Sequence, residues 1–127
     1  MTRRVDDWLR QAEKDLRHAR SSIKIEDFEW SCFAAQQAAE KALYQHLGGE
    51  SFSHSLLRML REMPKEARPD RALQKKGADL DKFYIPARYP NGFDWGAPMD
   101  YFTREDAVKA VADAGEIIEY AKRKILE

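Results

Sequence analysis

Hydrophobic residues recur at intervals of three and four positions through most of the chain, which predicts amphipathic helices. The first stripe predicts a helix over Arg3–Ile23. A second stripe, rich in alanine, predicts a helix over Phe28–Leu47 that Gly48 and Gly49 end. A shorter helix is expected over Ser53–Met63, with Ser53 as its N-cap.

The second half of the chain adds two more helices to this pattern. A fourth helix is predicted to carry Pro69 in its first turn and to stop before Pro86. Its inward-facing residues are expected to be Leu73, Leu80, Phe83 and Tyr84. The last helix opens at Thr103–Asp106, which has the spacing of a variant capping box.

No segment alternates apolar and polar residues with the period of two that marks a strand. The predicted fold class is therefore all-α, an up-and-down antiparallel bundle of four to five helices with a long ordered loop before the last helix. At 127 residues the chain is expected to form a single domain over 1–127.

The expected loop, Phe83–Phe102, differs in composition from the helices around it. It holds seven of the fourteen aromatic residues and three of the five prolines. Loops of this length without secondary structure are uncommon in compact domains unless they bind something. The segment therefore needs burial in the bundle, against a second copy, or around a ligand.

Arg88 is the single arginine of this segment and lies between Pro86 and Pro90. The prolines restrict the backbone, so the side chain is held in one direction. A guanidinium suits phosphate or carboxylate, and it stacks on rings such as those of Tyr84 and Tyr89. The alternative is an ion pair that fastens the loop to the bundle, and the sequence leaves both open.

Two polar residues lie on or beside the apolar stripes. Gln36 projects from the apolar side of the second helix and therefore needs a hydrogen-bond partner, in the simplest case a structural one. Asp15 sits at the edge of the first stripe. It is either a solvated charge or the partner of a cation from another element, with Arg88 as one candidate.

The charge of the chain is balanced overall and uneven locally. Lys plus Arg and Asp plus Glu both number 22, which excludes a strong net field for nucleic acid. Seven basic residues face three acidic ones between Arg58 and Lys76. Such a run is typical of a solvated helix face, with polyanion binding as the alternative.

The remaining chemistry of the sequence is sparse. Cys32 is the only cysteine, which fits a reducing cytosol, and no signal peptide or membrane span is seen, so a cytoplasmic protein is expected. His18, His46 and His54 lack the spacing of helical metal ligands, so neither a metal nor a cofactor is expected, and His46 is interpreted as a core residue.

Four segments, in order, resemble the HEPN domain family (higher eukaryotes and prokaryotes nucleotide-binding). They are "WLRQAEKDLRHA", "CFAAQQAAEKALYQHL", "HSLLRML" and "FYIPARYPNG", the last followed by a final amphipathic helix. The resemblance implies a helical bundle, usually a homodimer, tied to nucleotides or RNA. Many family members act with a minimal nucleotidyltransferase, often as a toxin–antitoxin pair.

The ribonucleases of that family carry an arginine followed a few residues later by a histidine. Here no histidine follows Arg88, and the last one is His54, so no catalytic residue is assigned. The leading expectation is a binding module for nucleotide or RNA phosphate, with ligand contacts from Arg88, Tyr89, Tyr84, His54 and Arg58. Alternatives are a metal-independent ribonuclease using His54 and Arg88, and a ligand-free dimerising adaptor.

Overall fold

The computed structural model describes residues 2–44 and 54–126 of the chain. Within these ranges there are helices and turns but no strand, so the predicted all-α class is confirmed. None of the described helices is long and apolar enough to cross a membrane. The helices are α1 (Thr2–Lys24), α2 (Phe28–Tyr44), α3 (Leu56–Arg61), α4 (Arg71–Asp81), α5 (Pro98–Tyr101) and α6 (Arg104–Leu126), with 3₁₀ turns at Lys65–Ala67 and Pro90–Gly92.

The three long helices, α1, α2 and α6, pack on one another and form the frame of the bundle. The turn from α1 to α2 passes through Glu26 in the left-handed region, with φ of 63°. Ser31 then fastens α2 to α1 by donating its hydroxyl to the Ala19 carbonyl at 2.7 Å. The contact face of α2 is made of small residues that let the helices approach closely, and its buried alanines are Ala35, Ala38, Ala39 and Ala42.

Helix α6 runs antiparallel to α1. Lys122, near its end, lies 3.3 Å from Glu13, and Arg104, at its start, lies 3.6 Å from Glu26. The predicted capping box begins this helix. The Thr103 Oγ1 accepts a hydrogen bond from the Asp106 N–H at 3.1 Å, and the Asp106 carboxylate accepts one from the Thr103 N–H at 3.0 Å.

Helix α4 is joined to α6 by a group of ion pairs around Asp79. Its carboxylate lies 2.8 Å from Lys75 and 2.9 Å from Lys109, and Lys109 also reaches Asp113 at 2.6 Å. The hydrogen bond from Lys75, followed by that from Lys109, lowers the pKa of Asp79 against the opposing effect of its burial. The ammonium of Lys109 has a raised pKa, chiefly because of Asp113.

The expected start of the third helix differs from the one observed. Helix α3 begins at Leu56, and Ser55 is its N-cap, with its hydroxyl accepting from the Arg58 N–H at 3.1 Å. Ser53, the expected cap, lies outside the described residues. So do the expected end of the second helix at Leu47 and the interpretation of His46.

The fourth helix is shorter than expected at both ends. Asp70 caps α4 by accepting from the Leu73 N–H at 3.0 Å, so Pro69 precedes the helix instead of occupying its first turn. Helix α4 ends at Asp81, and Tyr84 lies in the turns after it. Pro86 accounts for this end, because its ring would clash with the carbonyl four residues earlier and disfavours helical geometry at Ile85.

Candidate phosphate-binding site around Arg88

The turns after α4 direct the Arg88 side chain back over its own backbone. The Arg88 N–H donates to the Ile85 carbonyl at 3.1 Å, and its Nε donates to the Tyr84 carbonyl at 3.1 Å. A 3₁₀ turn beginning at Pro90 follows immediately, so the expected loop contains short helical elements. Local hydrogen bonds and the flanking prolines together fix the direction of the guanidinium.

Three aromatic rings surround the half-buried guanidinium. Its Cζ lies 4.6 Å from the ring centroid of Phe33, 4.8 Å from that of Tyr84 and 5.0 Å from that of Tyr89. The two tyrosines are those named from the sequence, whereas Phe33 comes from α2 and was not. Cation–π attraction at such distances orients the guanidinium and stabilises it by about 0.5–1 kcal/mol per well-placed ring.

Arg88 has no carboxylate partner among residues 2–44 and 54–126. The two terminal nitrogens of Arg88 have no acceptor among the described residues. Every buried side-chain nitrogen or oxygen in these residues has a hydrogen bond, so the two terminal nitrogens are exposed to solvent. Asp15 does pair with a cation from another element, but that cation is Lys41 of α2 and not the candidate Arg88. The Arg88 guanidinium thus keeps its bidentate edge free for a ligand.

His54 lies against the same tyrosine as Arg88. Its ring stacks on Tyr84 with centroids 4.7 Å apart and planes 17° from parallel. Its Nδ1 lies 3.1 Å from each carboxylate oxygen of Glu40 on α2. Glu40 was not identified from the sequence, although its position one turn after the buried Gln36 was a usable signal.

Gln36 anchors the backbone of His54. The side chain is fully buried, and its Nε2 donates to the His54 carbonyl at 3.0 Å. Its Oε1 accepts from Gln37 at 2.8 Å. The partner that a buried amide requires is therefore found within the chain, and it holds the residue whose ring faces Tyr84.

Asp81 ties this part of α3 to the end of α4. Its carboxylate accepts from the Leu56 N–H at 2.7 Å, from the Leu57 N–H at 3.1 Å and from the Ser55 hydroxyl at 3.0 Å. A carboxylate at a helix N-terminus is favoured by the exposed N–H groups and by the helix dipole. The turns carrying Arg88 and the segment carrying His54 are consequently bound to each other.

Arg58 contributes less than the sequence suggested. It is exposed, and its Nε lies 2.9 Å from Glu62 on the next turn. Arg61 likewise donates to Gln74 at 3.3 Å. The charge of Arg58 is partly offset by Glu62, and Arg61 is hydrogen-bonded to Gln74. The described contacts therefore bring together Arg88, Tyr84, Tyr89 and His54 without Arg58.

The arrangement can hold an oxyanion. Arg88 offers two terminal nitrogens, and the carboxylate on Nδ1 of His54 fixes the imidazole so that Nε2 is left for another partner. Tyr89 is 49 % exposed and can stack on a base. A planar fork, an imidazole nitrogen that donates when the ring is protonated, and an exposed ring are groups that can recognise a nucleotide phosphate and its base.

The family model of the HEPN domain matches residues 5–125 of this chain. The chain belongs to the HEPN domain family. In this HEPN domain the histidine of the ring cluster is His54, which precedes Arg88 in the sequence. The ribonuclease pattern instead has a histidine after the arginine. No curated protein is detectably similar to it.

Several solved structures share this fold along almost the whole chain. A protein from Thermus thermophilus is 40 % identical with a TM-score of 0.90, covering 95 % of this chain and 98 % of its own. An archaeal HEPN homologue is 36 % identical with a TM-score of 0.79, covering 95 % and 97 %. An HEPN domain protein from Thermotoga maritima is 27 % identical with a TM-score of 0.75, covering 95 % and 98 %.

Proposed function

We propose that this HEPN domain is a binding module that holds the phosphate of a nucleotide or RNA at Arg88. One observation carries the proposal: the guanidinium is fixed over three rings while its terminal nitrogens have no carboxylate partner in the described residues. An arginine that served as an ionic staple would have a carboxylate against it. Arg88 is instead positioned without being neutralised.

The oxygens of the bound phosphate would accept hydrogen bonds from donors on both sides of the Tyr84 ring. The Arg88 fork donates two parallel N–H bonds, which a lysine cannot reproduce. The imidazole of His54, held by Glu40, supplies a further donor when it is protonated. Tyr89 stacks on the base and adds about 1–3 kcal/mol for a single-stranded ligand.

The proposal is tested by fluorescence anisotropy with a short labelled single-stranded RNA, and by calorimetry with nucleoside mono- and triphosphates. Arg88→Lys and Arg88→Ala are both expected to weaken binding. In Arg88→Ala the slope of log affinity against log salt should also fall by about one, because that variant loses the positive charge at the phosphate. The matched control is Arg104→Lys, because Arg104 also stacks on a ring, that of Phe28, but lies 3.6 Å from Glu26. Its affinity should equal that of the unmodified protein.

Two results would overturn the proposal. One is the absence of binding of any of these ligands by the unmodified protein at low salt. The other is an equal affinity of Arg88→Lys and Arg104→Lys for the ligand, which would mean that the guanidinium of Arg88 makes no specific contact with it. Either would favour the ligand-free adaptor in which the segment only completes the core.

We also propose that the protein is a cytoplasmic homodimer that acts with a minimal nucleotidyltransferase in a toxin–antitoxin-type pair. The partner and the pairing are what family membership implies. Support for a dimer comes from half-exposed apolar side chains, those of Trp30 and Ile85. The lone thiol of Cys32 suits a reducing cytoplasm. Light scattering at micromolar concentration should return the dimer mass, and a minimal nucleotidyltransferase should co-purify with the protein.

A metal-independent ribonuclease remains the second candidate, and the pairing of His54 with Glu40 favours it. A carboxylate on one imidazole nitrogen is how general acid–base histidines are oriented. We expect no cleavage or cleavage too weak to halt growth, because the usual histidine after Arg88 is missing. RNA cleavage that persists with chelator, and that disappears in His54→Ala and in Glu40→Gln, would reverse this ranking.

A further inference from the structure

A groove of about 1080 Å³ runs along the outer side of α6, between α1 and α4. None of its described lining residues belongs to α2 or α3, which supply Phe33, Glu40 and the support of His54. The groove is therefore a separate feature from the Arg88 site. Its occupant has to be argued from its own floor and rims.

The floor of the groove is apolar. It is built from α6 residues Val108, Val111, Ala112 and Gly115, with Val108 52 % exposed. Val108, Ala112 and Gly115 are spaced at four and three positions, so they form one stripe along the helix. Small side chains at this spacing allow another helix to approach closely.

The rims of the groove carry arginines without acidic partners. Among the described residues Arg17, Arg20 and Arg123 have no carboxylate within ion-pair distance. The acidic residues of the lining are engaged with cations or with a helix end. Glu13 and Glu119 share Lys122, Glu116 lies 3.7 Å from Lys76, and Asp70 caps α4. The uncommitted charge of the groove is consequently positive.

We propose that this groove binds an amphipathic helix of a partner protein, one with an apolar stripe and acidic residues on both flanks. The α6 lining of the groove from Val108 to Arg123 is roughly 24 Å long at 1.5 Å per residue, the length of about four helical turns, and the apolar floor occupies its first half. The stripe of the incoming helix would lie on Ala112 and Gly115. Its carboxylates would face Arg17 and Arg20 on one side and Arg123 at the end.

Nucleic acid fits this groove less well than a helix does. Phosphates would be attracted to the arginines, but the bases would meet an aliphatic floor. The aromatic residue of the described lining, Tyr120, is 3 % exposed, and its hydroxyl donates to the Ala67 carbonyl. A second copy of this chain in the same groove would place two basic rims against each other, which is unfavourable.

The test uses a labelled helical peptide of about 18 residues, with an Ala/Leu stripe and glutamates on both flanks. A second peptide carries lysines in place of the glutamates. The acidic peptide should bind, and the lysine peptide should not. Affinity for the acidic peptide should fall at least about tenfold in Ala112→Trp, which fills the floor, and in the double variant Arg17→Glu with Arg20→Glu. Lys24→Glu, a charge reversal on the same helix outside the groove, is the matched control and should leave the affinity unchanged.

Four outcomes would overturn the proposal, provided circular dichroism shows that each variant is folded. The first is that the acidic peptide shows no detectable binding at concentrations up to about 1 mM. The second is that it binds Ala112→Trp as well as it binds the unmodified protein. The third is that the double arginine variant loses RNA binding while Ala112→Trp keeps it, which would assign the groove to nucleic acid. The fourth is that light scattering gives a smaller mass for Ala112→Trp than for the unmodified protein, which would assign the groove to a second copy of this chain. Since none of these variants touches Arg88, failure here leaves the phosphate site standing.

Discussion

Helix α2 and the segment Phe83–Phe102 are both rich in apolar residues but place them in opposite environments. The alanines of the α2 contact face are almost completely buried, whereas Tyr89, Trp95 and Tyr101 are 49 %, 78 % and 45 % exposed. In the helical frame these small residues are buried in the contacts between helices. In the segment a few rings, chiefly Phe83 and Phe102, pack inward and the rest remain at the surface.

Under the proposed function, this difference separates stability from recognition within one small domain. The frame needs close packing at every position, because its buried side chains make their contacts with one another. The segment needs only enough anchoring to hold Arg88 and its neighbouring rings in place. The protein can therefore present apolar and charged groups to a ligand without loosening the bundle, and substitutions in the two regions should differ sharply in their effects.

The largest expected effect is in the frame. Leu43 is fully buried in α2, and Leu43→Ala should lower the free energy of unfolding by about 2–5 kcal/mol because it leaves a cavity among packed helices. Trp95→Ala, in the exposed segment, should change it by less than about 1 kcal/mol. Urea denaturation at one protein concentration compares the two. Equal losses would mean that the segment belongs to the core after all.

A smaller effect is expected where the two regions meet. Asp81→Ala removes the carboxylate that accepts two N–H groups and the Ser55 hydroxyl at the start of α3, so it should cost about 1–2 kcal/mol. It should also weaken nucleotide or RNA binding, because His54 loses part of its support. Thermal denaturation and the anisotropy assay measure both effects.

The control for Asp81 is Asp94→Ala, because Asp94 is an exposed aspartate of the segment with no described partner. Its unfolding temperature and RNA affinity should match those of the unmodified protein. If Asp81→Ala lowers stability while RNA binding stays intact, the support of His54 does not matter for the site.

A weaker, pH-dependent effect is expected from the ion pairs between α4 and α6. The pKa of Asp79 in the folded protein lies below its ordinary value of 3.8, so its contribution is fully present above that pH and is lost as the pH falls toward the folded-state pKa. Because Lys75 and Lys109 are exposed, this contribution should not exceed about 1 kcal/mol.

Urea denaturation of the unmodified protein and of Asp79→Asn, from neutral pH down to below about pH 4, measures this contribution. The stability difference between the two proteins should shrink as the pH falls, and raised salt should reduce it at neutral pH. A difference independent of pH would show that the loss in Asp79→Asn comes from packing.

The sequence predicted the elements whose causes are local. The apolar stripes and the capping box of Thr103 and Asp106 depend on residues a few positions apart, and both were found. The end of α4 was placed too late because the effect of Pro86 on the turn before it was underestimated. The buried amide of Gln36 was recognised because its cost follows from its place in the stripe alone.

The candidate site was predictable only in part, because it depends on contacts across the fold. Arg88 and its two tyrosines are close in sequence, and the segment's composition pointed to them. Phe33 and Glu40 belong to α2, and only the packing of α2 against the turns after α4 brings them to Arg88 and His54. The cation that pairs with Asp15 could not be chosen from the sequence for the same reason, since Lys41, and not the candidate Arg88, faces it across the α1–α2 contact.

The smallest stability effect is expected at Arg88 itself. Arg88→Lys keeps the positive charge near Phe33, Tyr84 and Tyr89, so much of the cation–π attraction is retained, while the Nε bond to the Tyr84 carbonyl is lost. The free energy of unfolding should fall by less than about 1 kcal/mol. RNA or nucleotide affinity should nevertheless drop, because an ammonium lacks the planar fork. Arg88→Ala is less decisive, since it also removes the alkyl chain packed between the rings. A large loss of stability in Arg88→Lys, with no polyanion binding by the unmodified protein, would make Arg88 a structural residue and the segment an extension of the core.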